Sequence, residues 1–392
     1  MKNKQKPISV IGEMKTDIFL KKYWQKKPLF IKGALKDFAA PLSKKELQKL
    51  AKSSDLESRL ISSDKNRKKW EVHYGPFRSE DLQPHSEGKS TLLVQGVENV
   101  SEQLKELLFS IKFLPRWRLA DVMVSDGGPQ SSVGPHYDSY DVFLVQLKGE
   151  KLWKIGQQLK TRPKLLNNCD LRILAQPKEL FTDEYLASPG DVLYLPPMVP
   201  HYGVGQNDNQ TYSIGFLAPA HQEIINDYFG SLAEHIDSDL RFQDPSRRNV
   251  ENPAELDEAS IEQFIKIIKQ YTPNPDQIKD WLGRFLTQND LIDFKSNSKI
   301  HASNKSISTS LLKAKSLSFA PGLRAYYSKK KETICIYLAG NIYTYNYTKG
   351  NLTAVKTLCE QNSFRLKELK ACHATKILLK DFESWCESGL IL

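Results

Sequence analysis

Three side chains constrain this chain more than anything else in it. His136 and Asp138 stand two apart in Gly134-Pro135-His136-Tyr137-Asp138. On an extended strand residues i and i+2 share a face, so one imidazole and one carboxylate converge on one point. The third is His201, which ends the corner Pro196-Pro197-Met198-Val199-Pro200-His201, with 62 residues between Asp138 and it. A sheet that rolls up brings the ends of such distant strands together. Two histidines and one carboxylate form the facial set that holds non-haem Fe(II) and leaves coordination positions open. A His-x-Asp pair alone is common and says little. Its setting adds weight. Gly134-Pro135 reads as a turn into a strand, and Ser188-Pro189-Gly190-Asp191 is a tight turn before the apolar run Val192-Leu193-Tyr194-Leu195.

The surrounding pattern is of short strands and Gly/Pro turns. Strands are expected at 140–147, 150–155, 191–195 and 211–216, with Leu147-Lys148-Gly149-Glu150 as a hairpin. The expected fold is α+β, with a double-stranded β-helix (jelly-roll) barrel. Ahead of it, Ser43 with Glu46 three residues later is a capping box for a helix to about Ser53, and 29–33, 60–61, 70–74 and 117–124 read as strands.

At 392 residues the chain exceeds one ordinary core. Residues 1–219 are expected to form the barrel domain. From 220 to 295 helical periods replace strands, with Ile261, Phe264, Ile265 and Ile268 as one apolar stripe. A bundle there suits a homodimer contact. Lys295 to Ser310, rich in Ser, Asn and Lys, reads as a linker. The final segment, within 296–392, reads helix, hairpin around Gly340-Asn341, helix: a winged-helix-like module.

Charge separates these regions. Residues 296–392 hold 15 Lys+Arg against 6 Asp+Glu, a net of +9, whereas residues 1–295 hold 41 against 40, a net of +1. A basic end invites an acidic partner, nucleic acid among them. No apolar run approaches the roughly 20 residues that span a bilayer, and no membrane association is expected. The start is polar and basic without the apolar core of a signal peptide. Five cysteines, odd in number and without a C-x-x-C, suit a reducing compartment. The expected location is cytoplasmic.

Iron on three protein ligands needs a co-substrate. A 2-oxo acid can chelate it and leave a position for O2. The distal carboxylate of 2-oxoglutarate then needs a cation in the barrel wall. Lys151, 15 residues after His136 and on the next strand, is the candidate. It shares a face with Trp153, and a buried lysine without a partner is costly, so an inward Lys151 implies an anion inside.

These residues resemble the JmjC/cupin-type ribosomal oxygenases. The resemblance is carried by Gly134-Pro135-His136-Tyr137-Asp138, Tyr140-Asp141-Val142-Phe143, Gly190-Asp191 to Pro196, and His201. The opening Tyr23-Trp24-Gln25-Lys26-Lys27-Pro28-Leu29 is also similar to that family's start. The resemblance spans the whole chain and implies a 2-oxoglutarate- and Fe(II)-dependent protein hydroxylase. Its bacterial members act on an arginine of large ribosomal subunit protein number sixteen. By resemblance His136, Asp138 and His201 are the metal ligands, Lys151 binds 2-oxoglutarate, and Ser213 matches the family's serine near the same site. The family's bacterial arginine hydroxylases usually carry arginine where Lys151 stands and its eukaryotic histidine hydroxylases carry lysine, which leaves arginine and histidine both open as substrates. An arginine would want an acidic or hydroxyl group beside the iron. Ser125, Asp126 and Tyr140 are candidates by position. Two other readings differ in class: a JmjC demethylase, using the same iron chemistry on methyl-lysine, and a nucleic-acid-binding regulator with a degenerate barrel.

Overall fold

The computed structural model describes residues 8–87, 90–167, 171–245, 256–288 and 316–392 except 362, together with 247, 249 and 254. It divides into two units, Met1–Ala218 and Pro219–Leu392.

The first unit begins with α1 (Thr16–Lys22), β1 (Leu29–Ile31) and α2 (Lys44–Leu50). The capping box at α2 forms: Ser43 Oγ accepts from the Glu46 amide at 3.3 Å and the Glu46 carboxylate accepts from the Ser43 amide at 2.8 Å. Next come β2 (Ser58–Ser63), β3 (Trp70–Tyr74), α3 (Gln83–Ser86), β4 (Thr91–Val94) and α4 (Glu102–Phe109). Seven strands then follow: β5 (Leu119–Gly127), β6 (Val142–Lys148), β7 (Lys151–Gly156), β8 (Phe181–Ala187), β9 (Val192–Leu195), β10 (His201–Gly205) and β11 (Asn209–Phe216).

The strands make two antiparallel sheets. The larger runs β1-β9-β6-β11-β5-β4-β2-β3 and the smaller β10-β7-β8. After β6 the chain passes to the small sheet for β7 and β8, returns for β9, crosses again for β10 and returns for β11. This alternation is a jelly roll.

It also corrects one expectation. Leu147-Lys148-Gly149-Glu150 does not close a hairpin, because β6 pairs with β9 and β11 while β7 pairs with β8 and β10. The segment is a corner between sheets. Gly149 is needed there for a different reason: it sits at φ +58°, and a Cβ would run into the Asp208 carbonyl.

Period two sorts the residues of the large sheet into two cores. Val122 and Val124 of β5, with Phe143, Tyr194, Tyr212 and Phe216, bury themselves under Phe19 of α1, Leu47 of α2 and Leu104 of α4. The opposite face carries Val142, Leu144, Leu193 and Leu195 and packs against Trp153 and Ile155 of the small sheet. Each fully buried aromatic here contributes about 1.5–3 kcal/mol of apolar burial.

The second unit opens with three helices, α5 (His221–Ala233), α6 (Glu258–Gln270) and α7 (Pro275–Phe285). Asn274 caps α7 ahead of Pro275, so the prolines do separate the last two. An antiparallel sheet of β12 (Ala325–Lys329), β13 (Thr333–Leu338) and β14 (Asn341–Asn346) is followed by α8 (Lys349–Glu360), α9 (Leu366–Ala371) and α10 (Lys376–Glu387). The hairpin turn is Ala339-Gly340, with both residues at positive φ, one residue earlier than expected, because Leu338 pairs with Asn341. α7 docks on this sheet: Gly283 lies against the Tyr337 ring, and Asp280 accepts from the Tyr337 hydroxyl (3.0 Å) and Lys330 Nζ (2.6 Å). The expected linker 295–310 lies outside the described residues. Among the described residues no helix is long and apolar enough to cross a membrane.

Candidate metal centre

His136 and His201 are brought together by backbone. Each donates its amide to the other's carbonyl, at 3.0 and 2.8 Å, as an isolated antiparallel bridge. Their rings stand 4.2 Å apart, centroid to centroid. The Asp138 carbonyl accepts from the Met198 amide at 2.7 Å, which fastens the His136–Asp138 segment to the proline corner. Asp138 Oδ2 lies 3.6 Å from His201 Nε2. One ligand atom from each of the three side chains falls within 4.8 Å of the other two.

The ring orientations suit a metal. His136 Nδ1 lies 2.9 Å from the Gly134 carbonyl and His201 Nδ1 lies 3.0 Å from the Val199 carbonyl. A carbonyl can only accept, so Nδ1 carries the proton in both rings, and both Nε2 lone pairs are left for a ligand. Burial, reinforced by the neighbouring His136, depresses His201 to about 4, so its imidazole is neutral. A neutral imidazole is the ligating form. Two imidazoles and a carboxylate fit Fe(II) by donor type.

The triad opens into a cavity of about 290 Å³. Lys151 enters the cavity from β7 and is only 2% exposed. Its Nζ donates to Ser125 Oγ at 3.3 Å and lies 5.2 Å over the Trp153 ring. Burial lowers its pKa to about 8, opposed by the charge of Asp126. Ser213 of β11 lines the same cavity, as do Ser125 and Tyr140. The Asp138 charge, with burial, pushes the Tyr140 hydroxyl well above its ordinary pKa.

Asp126 is elsewhere. It follows Ser125 on β5 and therefore points through the sheet, where its carboxylate meets His85 Nε2 at 3.1 Å and accepts from Gln210 Nε2 at 2.7 Å. It does not line the cavity. Besides Asp138, the acidic residue that does is Asp121, with Arg59 of β2 also on the wall. Sequence reasoning missed both. The available signal was parity: 121, 123 and 125 share one face of an extended strand.

Comparison with known proteins agrees with this geometry. Residues 106–224 match the JmjC domain family. The chain is 34% identical over 272 residues to the ribosomal protein uL16 3-hydroxylase of Escherichia coli, covering 69% of this chain and 70% of that one. It is 36% identical over 230 residues to a probable ribosomal oxygenase of Haemophilus influenzae, covering 58% of this chain and 55% of that one. Crystal structures of the ribosomal oxygenase YcfD from Escherichia coli superpose over 97% of this chain and 98% of theirs at 26% identity. TM-scores are 0.80 for the complex with cobalt and 2-oxoglutarate and 0.84 for a further X-ray structure. With this coverage and this site, the chain belongs to the JmjC ribosomal oxygenases.

Proposed function

We propose that this chain is a cytoplasmic Fe(II)- and 2-oxoglutarate-dependent oxygenase that hydroxylates a side chain, an arginine, of the large-subunit ribosomal protein uL16. The observation that carries the reading is one cavity holding both the His136–Asp138–His201 set and the buried cation Lys151. In this reading the three side chains hold the iron, and Lys151 with Ser213 binds the distal carboxylate of 2-oxoglutarate. Iron so bound, with 2-oxoglutarate and O2, supplies the oxidation that places one oxygen atom on a C–H bond while 2-oxoglutarate becomes succinate and carbon dioxide.

The chain's own residues do the rest. The carbonyls of Gly134 and Val199 fix the ligand tautomers. Trp153 and the barrel wall keep water from the Lys151 ammonium, which strengthens its attraction for a carboxylate. Ser125 holds the ammonium in place before the anion arrives. Asp121 and Tyr140 line the same cavity together with Arg59. A carboxylate and a hydroxyl there can accept from a guanidinium, which supports arginine as the substrate in this reading.

Two further assignments belong to this proposal. The exposed apolar stripe of α6 is a homodimer contact, and the sheet and helices after residue 316 are a winged-helix-like module, giving domains 1–219, 220–295 and 296–392. His136→Ala tests the centre. We expect loss of iron-dependent succinate formation with unchanged thermal unfolding of the apoprotein; unaltered turnover would refute the assignment. Intact mass of the treated ribosomal protein separates the rival chemistry: a hydroxylase adds one oxygen, whereas a demethylase removes a methyl group.

A further inference from the structure

The basic excess of this chain lies in its last quarter, mostly before residue 341: residues 296–340 hold eight Lys+Arg against one Asp+Glu, and residues 341–392 hold seven against five. Within the latter, the fold gathers most of the lysines at one corner. The start of α8 lies beside the corner that joins α9 to α10: Gly350 sits against the Cys372 and His373 carbonyls, and the Thr375 amide donates to Asn351 Oδ1 at 2.9 Å. That juxtaposition places Lys349 with Lys367, Lys370, His373 and Lys376 around one corner, and Lys380 continues one turn along α10. All six are exposed. Among the described residues none of the five lysines has a carboxylate within ion-pair distance. Of the acids in this stretch, Glu368 is turned back onto the Arg365 amide at 3.0 Å as a helix cap, and Asp381 accepts from the Tyr345 hydroxyl at 2.8 Å. Tyr347, 45% exposed, precedes the cluster on the chain.

We propose that this corner is a docking surface for the phosphate backbone of RNA. Five unpaired cations on one surface need an anion, and composition separates the candidates. Protein–protein contact surfaces are depleted in lysine at their centres, whereas nucleic-acid interfaces are strongly positive. An exposed tyrosine beside the cations offers a stacking platform for an unpaired base. Among the described residues Arg365 is the one arginine between 341 and 380, so the recognition is of backbone rather than sequence. Every residue of the iron centre lies in the first unit and every residue of this surface in the second.

The test uses the full-length protein and a fluorescein-labelled RNA stem-loop with an unpaired loop, with binding followed by anisotropy as potassium chloride is raised. Contact with about four phosphates gives a slope of log affinity against log salt on the order of −3. The variant K367E/K370E/K376E/K380E should lose at least about tenfold in affinity at moderate salt and flatten that slope. The neutral set K367Q/K370Q/K376Q/K380Q, which perturbs folding less, should fall between. Reversing four exposed lysines of the first unit, K21E/K22E/K112E/K178E, should leave both quantities unchanged. Native-like RNA affinity in both corner variants would overturn the proposal. So would displacement of the RNA by polyglutamate at equal charge, which would mark an acidic polypeptide as the occupant. Neither iron nor 2-oxoglutarate enters the readout, so failure here leaves the oxygenase reading standing, and loss of that reading leaves this one untouched.

Discussion

In the proposed reading Lys151 carries much of the co-substrate chemistry of the site. Its ammonium is buried in a barrel wall, with one hydroxyl, Ser125, and one aromatic face, Trp153, as neighbours. Burial destabilises the charged form and brings its pKa down to about 8. The sign of the consequence follows. Below about pH 8 the free site holds an ammonium that attracts the co-substrate's carboxylate; above it the cation is lost. Affinity for 2-oxoglutarate, measured by calorimetry on the manganese-loaded protein, should therefore weaken as pH rises through about 8. Lys151→Arg should remove that dependence, because a guanidinium stays charged. Lys151→Met should weaken binding by about 2–5 kcal/mol at neutral pH. Equal affinity in Lys151→Met would show that the anion sits elsewhere. At this scale the sequence was informative about residue type and weak about direction. His136, Asp138, His201 and Lys151 could be picked out because metal-ligand spacing and an apolar strand surround them. Ser125 and Asp126 could not be told apart, because adjacent strand residues face opposite sides and the strand's phase depends on which sheet it joins.

At the scale of elements, the opening segment Tyr23-Trp24-Gln25 acquires a physical reason. Asp141 is fully buried and accepts from three donors: the Tyr194 hydroxyl at 2.6 Å, Gln25 Nε2 at 2.9 Å and the Arg118 guanidinium at 3.0 Å. Gln25 also donates its amide to the Tyr194 hydroxyl at 2.8 Å, and Trp24 stacks on the Tyr194 ring. One carboxylate thus ties the chain after α1 to β9 and to the start of β5, and it lies three residues after Asp138. Asp141→Asn leaves the Arg118 guanidinium without its countercharge, so we expect a loss of about 3–5 kcal/mol in urea unfolding with an unchanged m-value. A shift of less than about 1 kcal/mol would mean the group is solvated as a surface pair is. No strand is expected from the sequence at β4, β8, β10 or β12, and two of these lack the usual signals. β8 is mostly exposed along Phe181–Ala187, so no apolar alternation marks it. β10 carries two glycines in five residues, one of them Gly203 packed against the Trp153 ring. Gly149 suggested a hairpin because glycine permits a tight turn and a sheet-to-sheet corner equally.

At the scale of the whole molecule, the proposed chemistry and the proposed assembly draw on residues of different units. Each residue argued to hold iron, co-substrate or substrate precedes residue 219, whereas the apolar stripe proposed as the dimer contact lies after it. α6 buries no residue of its own: Phe264 is 57% and Ile268 66% exposed, with Ile261 and Ile265 exposed on the same stripe. Phe242 stacks on Phe264 with centroids 5.0 Å apart, which extends the apolar area beyond the helix rather than covering it. A stripe at i, i+3, i+4 and i+7 on one helix is the pattern that packs against another helix. In the proposed dimer a second copy of this chain supplies the same surface by twofold symmetry. Replacing Phe264 and Ile268 together by glutamate sets like charges against each other across such an interface, where repulsion costs several kcal/mol. The doubly substituted protein should sediment as a monomer at concentrations where the native chain sediments as a dimer. Because the substitutions lie outside the barrel, binding of manganese and 2-oxoglutarate per chain should remain. An unchanged sedimentation coefficient would assign the stripe to another partner, whereas loss of co-substrate binding together with the dimer would show that assembly is needed to hold the barrel in its ligand-binding form.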